Sequence, residues 1–243
     1  MPTLTPVLKA LYDKHIRKRK FTRDDMWQVL KKIKKRKYKK GDTVTVYDRM
    51  QRDYSYTLTN APGRGFAIDF EPELTPAQML VMGVFEGKYC NDCMLELPRE
   101  WYSKGLTRIS IIKDSSQLLD TLSPEAPNYK LNYYKIKSRL SLKQWIKNKW
   151  IPCTYTRAGI AVCKDRNIKP SEIIDPDIRG WFQWYCRYYL GRRLPIIDDI
   201  QIKRWSNFKR HVAQLRKHCK GKQNCRPRQR QAVLQWAYDP RLI

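Results

Sequence analysis

The chain has 243 residues, of which 42% are hydrophobic and 12% aromatic, so it can bury a substantial core and is not a disordered polymer. Fifty Lys and Arg residues against 23 Asp and Glu residues give a formal net charge of +27, which is typical of proteins that bind a polyanion. No apolar run approaches the roughly 18 residues of a membrane span. The first residues lack the apolar stretch of a secretory signal. We therefore expect an intracellular protein without a membrane partner, located in the nucleus or associated with a nucleoid or virion.

Charge is segregated along the chain. The net charges are +12 for residues 1–40, −5 for 41–129, +8 for 130–176 and +12 for 177–243. This division predicts a basic helical arm at 1–40, a near-neutral mixed α/β region at 41–129 and a basic helical module at 130–243. The turn-rich sequence near 123–140 has two interpretations, a domain boundary or a loop within one domain.

Capping residues and apolar periodicity predict the elements of the first half. Thr5 before Pro6, and Thr22 before Asp25, are typical of helix starts. The second of these helices is expected to fray through the Lys-rich tract towards Gly41. Alternating β-branched and aromatic residues predict a hairpin. The remaining expectations are a third strand, a helix beginning after Thr75 and a further strand. The predicted ranges are 6–18 for the first helix, 43–47 and 54–59 for the hairpin, 66–70 for the third strand and 109–112 for the further strand.

The second half is predicted to be mostly helical. Ser141 and Gln144 form a capping-box pattern, and 156–163 is expected to be a strand or a loop. Three helices then complete the chain. The first runs from Pro176 to Leu190, the second is a single long helix from Asp198 to Cys219, and the third follows Pro227. The predicted fold class is α+β and predominantly helical, with a small antiparallel hairpin or sheet followed by a C-terminal three-helix module.

Basic residues supply the candidate nucleic-acid contacts. Residues 31–40 contain eight Lys and Arg residues, which could bind phosphates, serve as a nuclear localisation signal or form a solvated helix face. Arg226, Arg228 and Arg230 lie at a predicted helix start, where the helix dipole favours an anion. The predicted contacts are Lys31, Lys32, Lys34, Lys35, Arg36, Lys37, Lys39, Lys40, Arg187, Arg192, Arg193, Lys203, Arg204, Arg210, Arg226, Arg228 and Arg230.

The aromatic segment 181–189 has two interpretations, a platform for unpaired bases or a packed core. Helical periodicity places Trp181, Trp184, Tyr185 and Tyr188 on one arc, and we assign them to the core.

Cysteines and carboxylates are the residues of this chain that could bind a metal or form an enzymatic site. The chain has seven cysteines without a regular framework, which favours thiols over disulfides. Cys90 and Cys93 have zinc-ligand spacing, but the second pair would have to be Cys219 and Cys225, whose spacing is wide, so we expect no metal and no cofactor. Acidic residues of 69–100 could form an enzymatic site, against the simpler interpretation of solvated loops. These are Asp69, Glu71, Glu73, Asp92, Glu96 and Glu100.

Four segments are similar to an uncharacterised family of small basic proteins found in large eukaryotic DNA viruses and some algal and fungal genomes. They are 83–92, 177–193, 201–205 and 226–239, so the resemblance covers about 79–243. The resemblance implies no activity and no catalytic residues, and by association it favours a module that handles nucleic acid over a metabolic enzyme.

The sequence thus predicts a protein that binds DNA or RNA mainly through the phosphate backbone, as part of a larger nucleoprotein assembly with other proteins. A non-enzymatic role is favoured. Two alternatives stay open at this point. One is a nuclease or base-processing enzyme that uses the acids of 69–100, and the other is a structural protein of a virion or scaffold.

Overall fold

The computed structural model describes residues 5–18, 20–102 and 126–243. The predicted strand at 109–112 lies outside these residues. Within them, the chain forms short helices and one two-stranded hairpin, which agrees with the predicted α+β, predominantly helical class. The helices are α1 (Pro6–His15), α2 (Arg23–Lys32), α3 (Pro76–Val81), α4 (Leu142–Lys147), α5 (Arg157–Asp165), α6 (Trp181–Leu190), α7 (Pro195–Ser206), α8 (Lys209–Cys219) and α9 (Pro227–Leu234). The strands are β1 (Thr43–Val46) and β2 (Tyr54–Thr57), which pair antiparallel with Val44 opposite Tyr56.

The predicted caps are present, but the Lys-rich tract is not helical. The Thr22 hydroxyl accepts a hydrogen bond from the Asp25 N–H, and α2 ends at Lys32. Ile33 is already extended, with φ −80° and ψ 123°. The following segment is tied down by tertiary contacts, because Arg36 donates to the Leu95 carbonyl and the Tyr38 hydroxyl donates to the Glu96 carbonyl. The helical extension towards Gly41 was therefore wrong.

Two further predictions from local pattern were wrong. Residues 66–70 form a loop instead of a third strand, because Phe66 and Phe70 turn onto the ring of Tyr188, at centroid distances of 5.5 and 5.4 Å. Residues 157–165 form helix α5, capped by the Thr156 hydroxyl. Glycine is a poor helix former, so Gly159 did not indicate a helix in the sequence, yet the packing of α5 requires a glycine at this position. A Cβ at this position would lie 2.3 Å from the Cys153 carbonyl oxygen.

The C-terminal helices begin and end differently from the prediction. Helix α6 starts at Trp181 after Gly180, because the Asp177 side chain holds the preceding segment to two arginines. The predicted long helix is two helices, α7 and α8, separated at Asn207 and Phe208. This break turns the Phe208 ring onto Trp236, with ring centroids 4.3 Å apart.

One continuous hydrophobic core joins residues from all three predicted regions. Helix α6 lies at its centre, and Trp181, Trp184, Tyr185 and Tyr188 are buried, as predicted. The helix ends at Gly191 with φ +115°, and a Cβ there would lie 2.0 Å from the Asn60 carbonyl oxygen. Only glycine allows this close approach of the loop. None of the described helices is long and apolar enough to cross a membrane.

Candidate functional site

Three of the arginines predicted to bind phosphate lie in the core. Arg187, Arg192 and Arg230 are 0%, 1% and 0% exposed. A guanidinium this deeply buried cannot reach the phosphate of an external polyanion, so the structure contradicts the prediction for these three residues. The sequence alone does not show which of its cations will meet carboxylates or carbonyls inside the fold.

Asp177 is the centre of a buried ion-pair network. Its carboxylate accepts hydrogen bonds from Arg187 Nη1 at 3.0 Å and from Arg192 Nη1 and Nη2 at 2.9 and 2.6 Å. Arg187 also donates from Nε to Glu96 Oε1 at 2.6 Å. Burial lowers the pKa of each arginine, but the carboxylates outweigh burial and raise the pKa of both above its ordinary value. The network therefore joins the acidic middle of the chain to its basic C-terminal third.

Arg230 and Arg193 stabilise the fold through carbonyl oxygens. Arg230 donates to the carbonyls of Cys225 at 3.0 Å and Ile243 at 3.0 Å, which closes the C-terminus onto α9. The Arg193 guanidinium stacks 3.8 Å from the centroid of the Tyr188 ring and donates to the Gly65 carbonyl at 2.9 Å. Arg193 and the half-buried Arg36 thus have contacts that a phosphate would have to displace.

The cysteine prediction was partly wrong. Cys219 and Cys225 form a disulfide across the loop between α8 and α9, with their Cα atoms 5.5 Å apart. They are therefore not the free thiols that the sequence predicted. They also cannot supply the second pair of ligands of a zinc site. Cys90 and Cys93 are buried free thiols, and burial raises the pKa of Cys90 well above its ordinary value.

One buried group of potential metal ligands is already neutralised by arginine. Donor atoms of Asp48, Cys93 and Glu96 lie within 4.8 Å of one another. Asp48 pairs with Arg179 Nη2 at 3.1 Å, and Glu96 pairs with Arg187. Because guanidinium groups satisfy both carboxylates, the chemistry of this donor set does not call for a cation, and we assign no metal to it.

The acidic residues of 69–100 are not brought together as an active site. Asp92 and Glu96 are buried and paired with Arg179 and Arg187. Glu73 accepts a hydrogen bond from the Asp239 backbone N–H at 2.6 Å. Asp69 and Glu71 are exposed. Glu100 is half-buried. Among the described residues, no three of the six predicted acids bring their carboxylate oxygens within 4.8 Å of one another.

Most of the other predicted cations are exposed. Lys203 is 3.9 Å from Asp165, a weak surface pair, and Arg204 is half-buried. The exposed predicted cations are Lys31, Lys32, Lys34, Lys35, Lys37, Lys39, Lys40, Lys203, Arg210, Arg226 and Arg228.

Three adjoining cavities form a groove between α4, α5, the α7–α8 corner and the end of α9; we call it the aromatic groove. The first cavity is about 220 Å³, the second about 650 Å³ and the third about 70 Å³. The first and second share Trp150, Arg204, Phe208 and Trp236 in their walls. Lys149, Arg157, Arg204 and Arg210 line the second, and among the described residues no Asp or Glu lines any of the three.

The rings of the aromatic groove are held in place by the core. Phe208 and Trp236 are stacked with an interplanar angle of 19°, and Trp236 also lies 4.7 Å from the buried Trp181 ring. Trp150 at the mouth is 42% exposed and lines both the first and the second cavity. Arg204 lies above Trp236, with its Cζ 5.4 Å from the ring centroid.

Arg204 has little to neutralise it. Its Nη1 donates to Gln201 Oε1 at 2.8 Å, and no carboxylate of the described residues pairs with it within 4.0 Å. Asp175 is close enough to raise the pKa of Arg204, but burial dominates and lowers it. Asp175 itself accepts from the backbone N–H groups of Cys153 and Asp177 at 2.7 and 2.9 Å. The guanidinium is therefore placed to gain from an anion in the groove.

Sequence reasoning found only part of this site. Arg204 and Arg210 were predicted, whereas Lys149, Arg157 and the rings of Trp145, Trp150, Phe208 and Trp236 were not. A local signal was available, since Trp145 and Trp150 alternate with Lys143, Lys147 and Lys149 in and just after α4. That these residues line the same cavity as the α7–α8 corner depends on the tertiary fold and leaves no such signal.

No protein-family model, no curated protein and no solved structure matches the chain.

Proposed function

We propose that the protein binds nucleic acid, with the strand lying in the aromatic groove and its phosphates contacting the surrounding cations. The observation that carries this proposal is the combination of four cations and stacked rings in the first two cavities of the groove, which no carboxylate of the described residues lines. Such a surface repels cationic ligands and gives both phosphate and base contacts to a polyanion.

The distribution of buried charge supports the same conclusion. Among the described residues, eight carboxylates but only four guanidinium groups are buried, so the surface is more positive than the net charge of +27 suggests. The exposed Lys residues of 31–40 lie at the end of α2 and in the non-helical segment that follows it. They add phosphate contacts of less defined geometry, because a Lys ammonium is a point charge on a flexible stem. A role within a larger nucleoprotein assembly follows if these two surfaces hold different parts of one strand.

Binding should be measured by fluorescence anisotropy with a labelled 24-nucleotide single strand, in DNA and RNA forms, between about 50 and 400 mM KCl. Four phosphate contacts in the first two cavities predict that log K falls with log salt concentration with a slope of about −3, and contacts from the Lys residues of 31–40 make the slope steeper. A flat salt dependence would overturn the proposal.

Paired variants locate the contact. Arg157→Gln with Arg210→Gln removes two cations of the groove, one from α5 and one from α8. Lys164→Gln with Lys217→Gln removes two exposed cations from the same two helices outside the groove. We expect the groove pair to weaken binding at least tenfold and to reduce the slope by about 1.4, and the control pair to weaken it less than threefold. Equal losses would show that binding is spread over the whole surface and not centred on the groove.

A further inference from the structure

The first cavity of the aromatic groove is a preformed slot. Its floor and walls include the rings of Phe85, Tyr89, Phe182 and Trp181, all buried, and the half-buried rings of Trp145 and Trp236. Phe85 and Tyr89 lie 4.6 Å apart, and each ring centroid is 6.0 Å from Trp145. Because these rings also pack in the core, the slot does not have to form when a ligand arrives.

A glycine in the wall of the slot leaves it without a side chain at that position. Gly180 has φ +85° and lines the cavity. A Cβ there would lie 3.1 Å from Ile151 Cδ1, against the same wall that supports Trp145. Two exposed apolar side chains, Trp150 at 42% and Leu140 at 38%, stand at the mouth. Water is a poor occupant for such a slot, and a flat apolar face is a good one.

Two polar features restrict what the ligand can be. Gln235 lines the cavity and donates from Nε2 to Ser138 Oγ at 2.9 Å, and its amide oxygen has no hydrogen-bond partner among the described residues. That oxygen can accept from an amino or imino N–H of a planar ligand. Arg204 at the boundary with the second cavity repels a methylammonium cation, which excludes the usual ligand of an aromatic cage, and attracts an anion next to the ring.

We infer that the first cavity takes one unpaired base of the bound strand, with the adjoining phosphate on Arg204. This inference rests on the proposed function and adds a preference to it. A base within a duplex is paired and stacked, and must be extruded at a cost before it can enter the slot. The protein therefore binds single-stranded or locally unpaired nucleic acid more tightly than duplex of the same length.

The test uses a single strand with 2-aminopurine at its centre, and a duplex of the same sequence. Stacking on tryptophan quenches 2-aminopurine, so fluorescence should fall on binding of the single strand. Trp150→Leu removes the exposed ring at the mouth. Trp27→Leu is the matched control, since Trp27 is 37% exposed on α2 and lies outside the groove.

We expect Trp150→Leu to lose about tenfold in affinity for the single strand, with duplex binding unchanged. Quenching at saturation should persist in this variant, because Trp145 and Trp236 still line the slot. Trp27→Leu should stay within twofold of the wild type, and both variants should keep the wild-type unfolding midpoint. Salt-sensitive binding of the single strand to the wild type without quenching would overturn the base slot and leave the proposed function standing. An equal loss for duplex would also overturn it, and no binding of either nucleic acid would overturn both.

Discussion

Replacing Asp177 by Asn should strongly destabilise the protein. The carboxylate is 0% exposed and is held by Arg187 and Arg192, which are themselves buried. Asn keeps the shape but removes the charge, so Arg192 loses its only ion pair among the described residues. Breaking one side of a buried ion pair costs about 3–5 kcal/mol, because a guanidinium is left uncompensated in the core. Against a total stability of about 5–15 kcal/mol, the loss is large.

Urea unfolding followed by tryptophan fluorescence measures this effect. With a slope of about 2 kcal/mol per molar urea, a loss of about 4 kcal/mol lowers the midpoint by about 2 M. Asp165→Asn is the matched control, because Asp165 is 71% exposed and lies 3.9 Å from Lys203, in a pair that contributes less than about 1 kcal/mol. Similar midpoints for Asp177→Asn and the wild type would refute the assignment of the network as a central element of stability.

Two further predictions concern titration and oxidation. Burial raises the pKa of Asp198 to about 6, so the folded state holds a proton that the unfolded state releases near pH 4. Between pH 4.5 and 7 the wild type should therefore lose about 2 kcal/mol of unfolding free energy relative to Asp198→Asn. Parallel profiles of stability against pH for the two proteins would contradict this. The Cys219–Cys225 disulfide leaves five free cysteines. Thiol titration of the denatured protein should therefore give five reactive groups before reduction and seven after reduction. Seven reactive groups before reduction would show that the disulfide is absent.

Local sequence signals predicted starts of elements better than their ends. Thr5, Thr22, Thr75 and Ser141 each cap a helix as expected, because capping depends on a few neighbouring residues. Ends and breaks depended on tertiary contacts that leave little local trace. The extended course after Lys32 follows from contacts with residues about 60 positions away.

Helical periodicity predicted which aromatic residues of α6 lie in the core, but it did not predict the aromatic residues of the candidate site. The ring-rich helix α6 was assigned to the core, and its burial confirms that assignment. The candidate site combines Trp181 and Phe182 of α6 with rings from α4 and its C-terminal end, the α7–α8 corner and the segment after α9. Because those residues are far apart in the chain, no spacing rule could have collected them.

The segregated charge of the chain has two physical consequences. Some of the basic side chains form buried ion pairs. Arg187 pairs with Glu96 of the acidic middle region, and Arg187 and Arg192 both pair with Asp177 in the core. A count of Lys and Arg therefore overstates the cations that a polyanion can reach. The same burial takes carboxylates off the surface, and no carboxylate of the described residues lines the groove beside Arg157 and Arg210. Placing one there at an exposed position, as in Asn207→Asp between α7 and α8, would therefore oppose phosphate binding more strongly than removing a distant lysine.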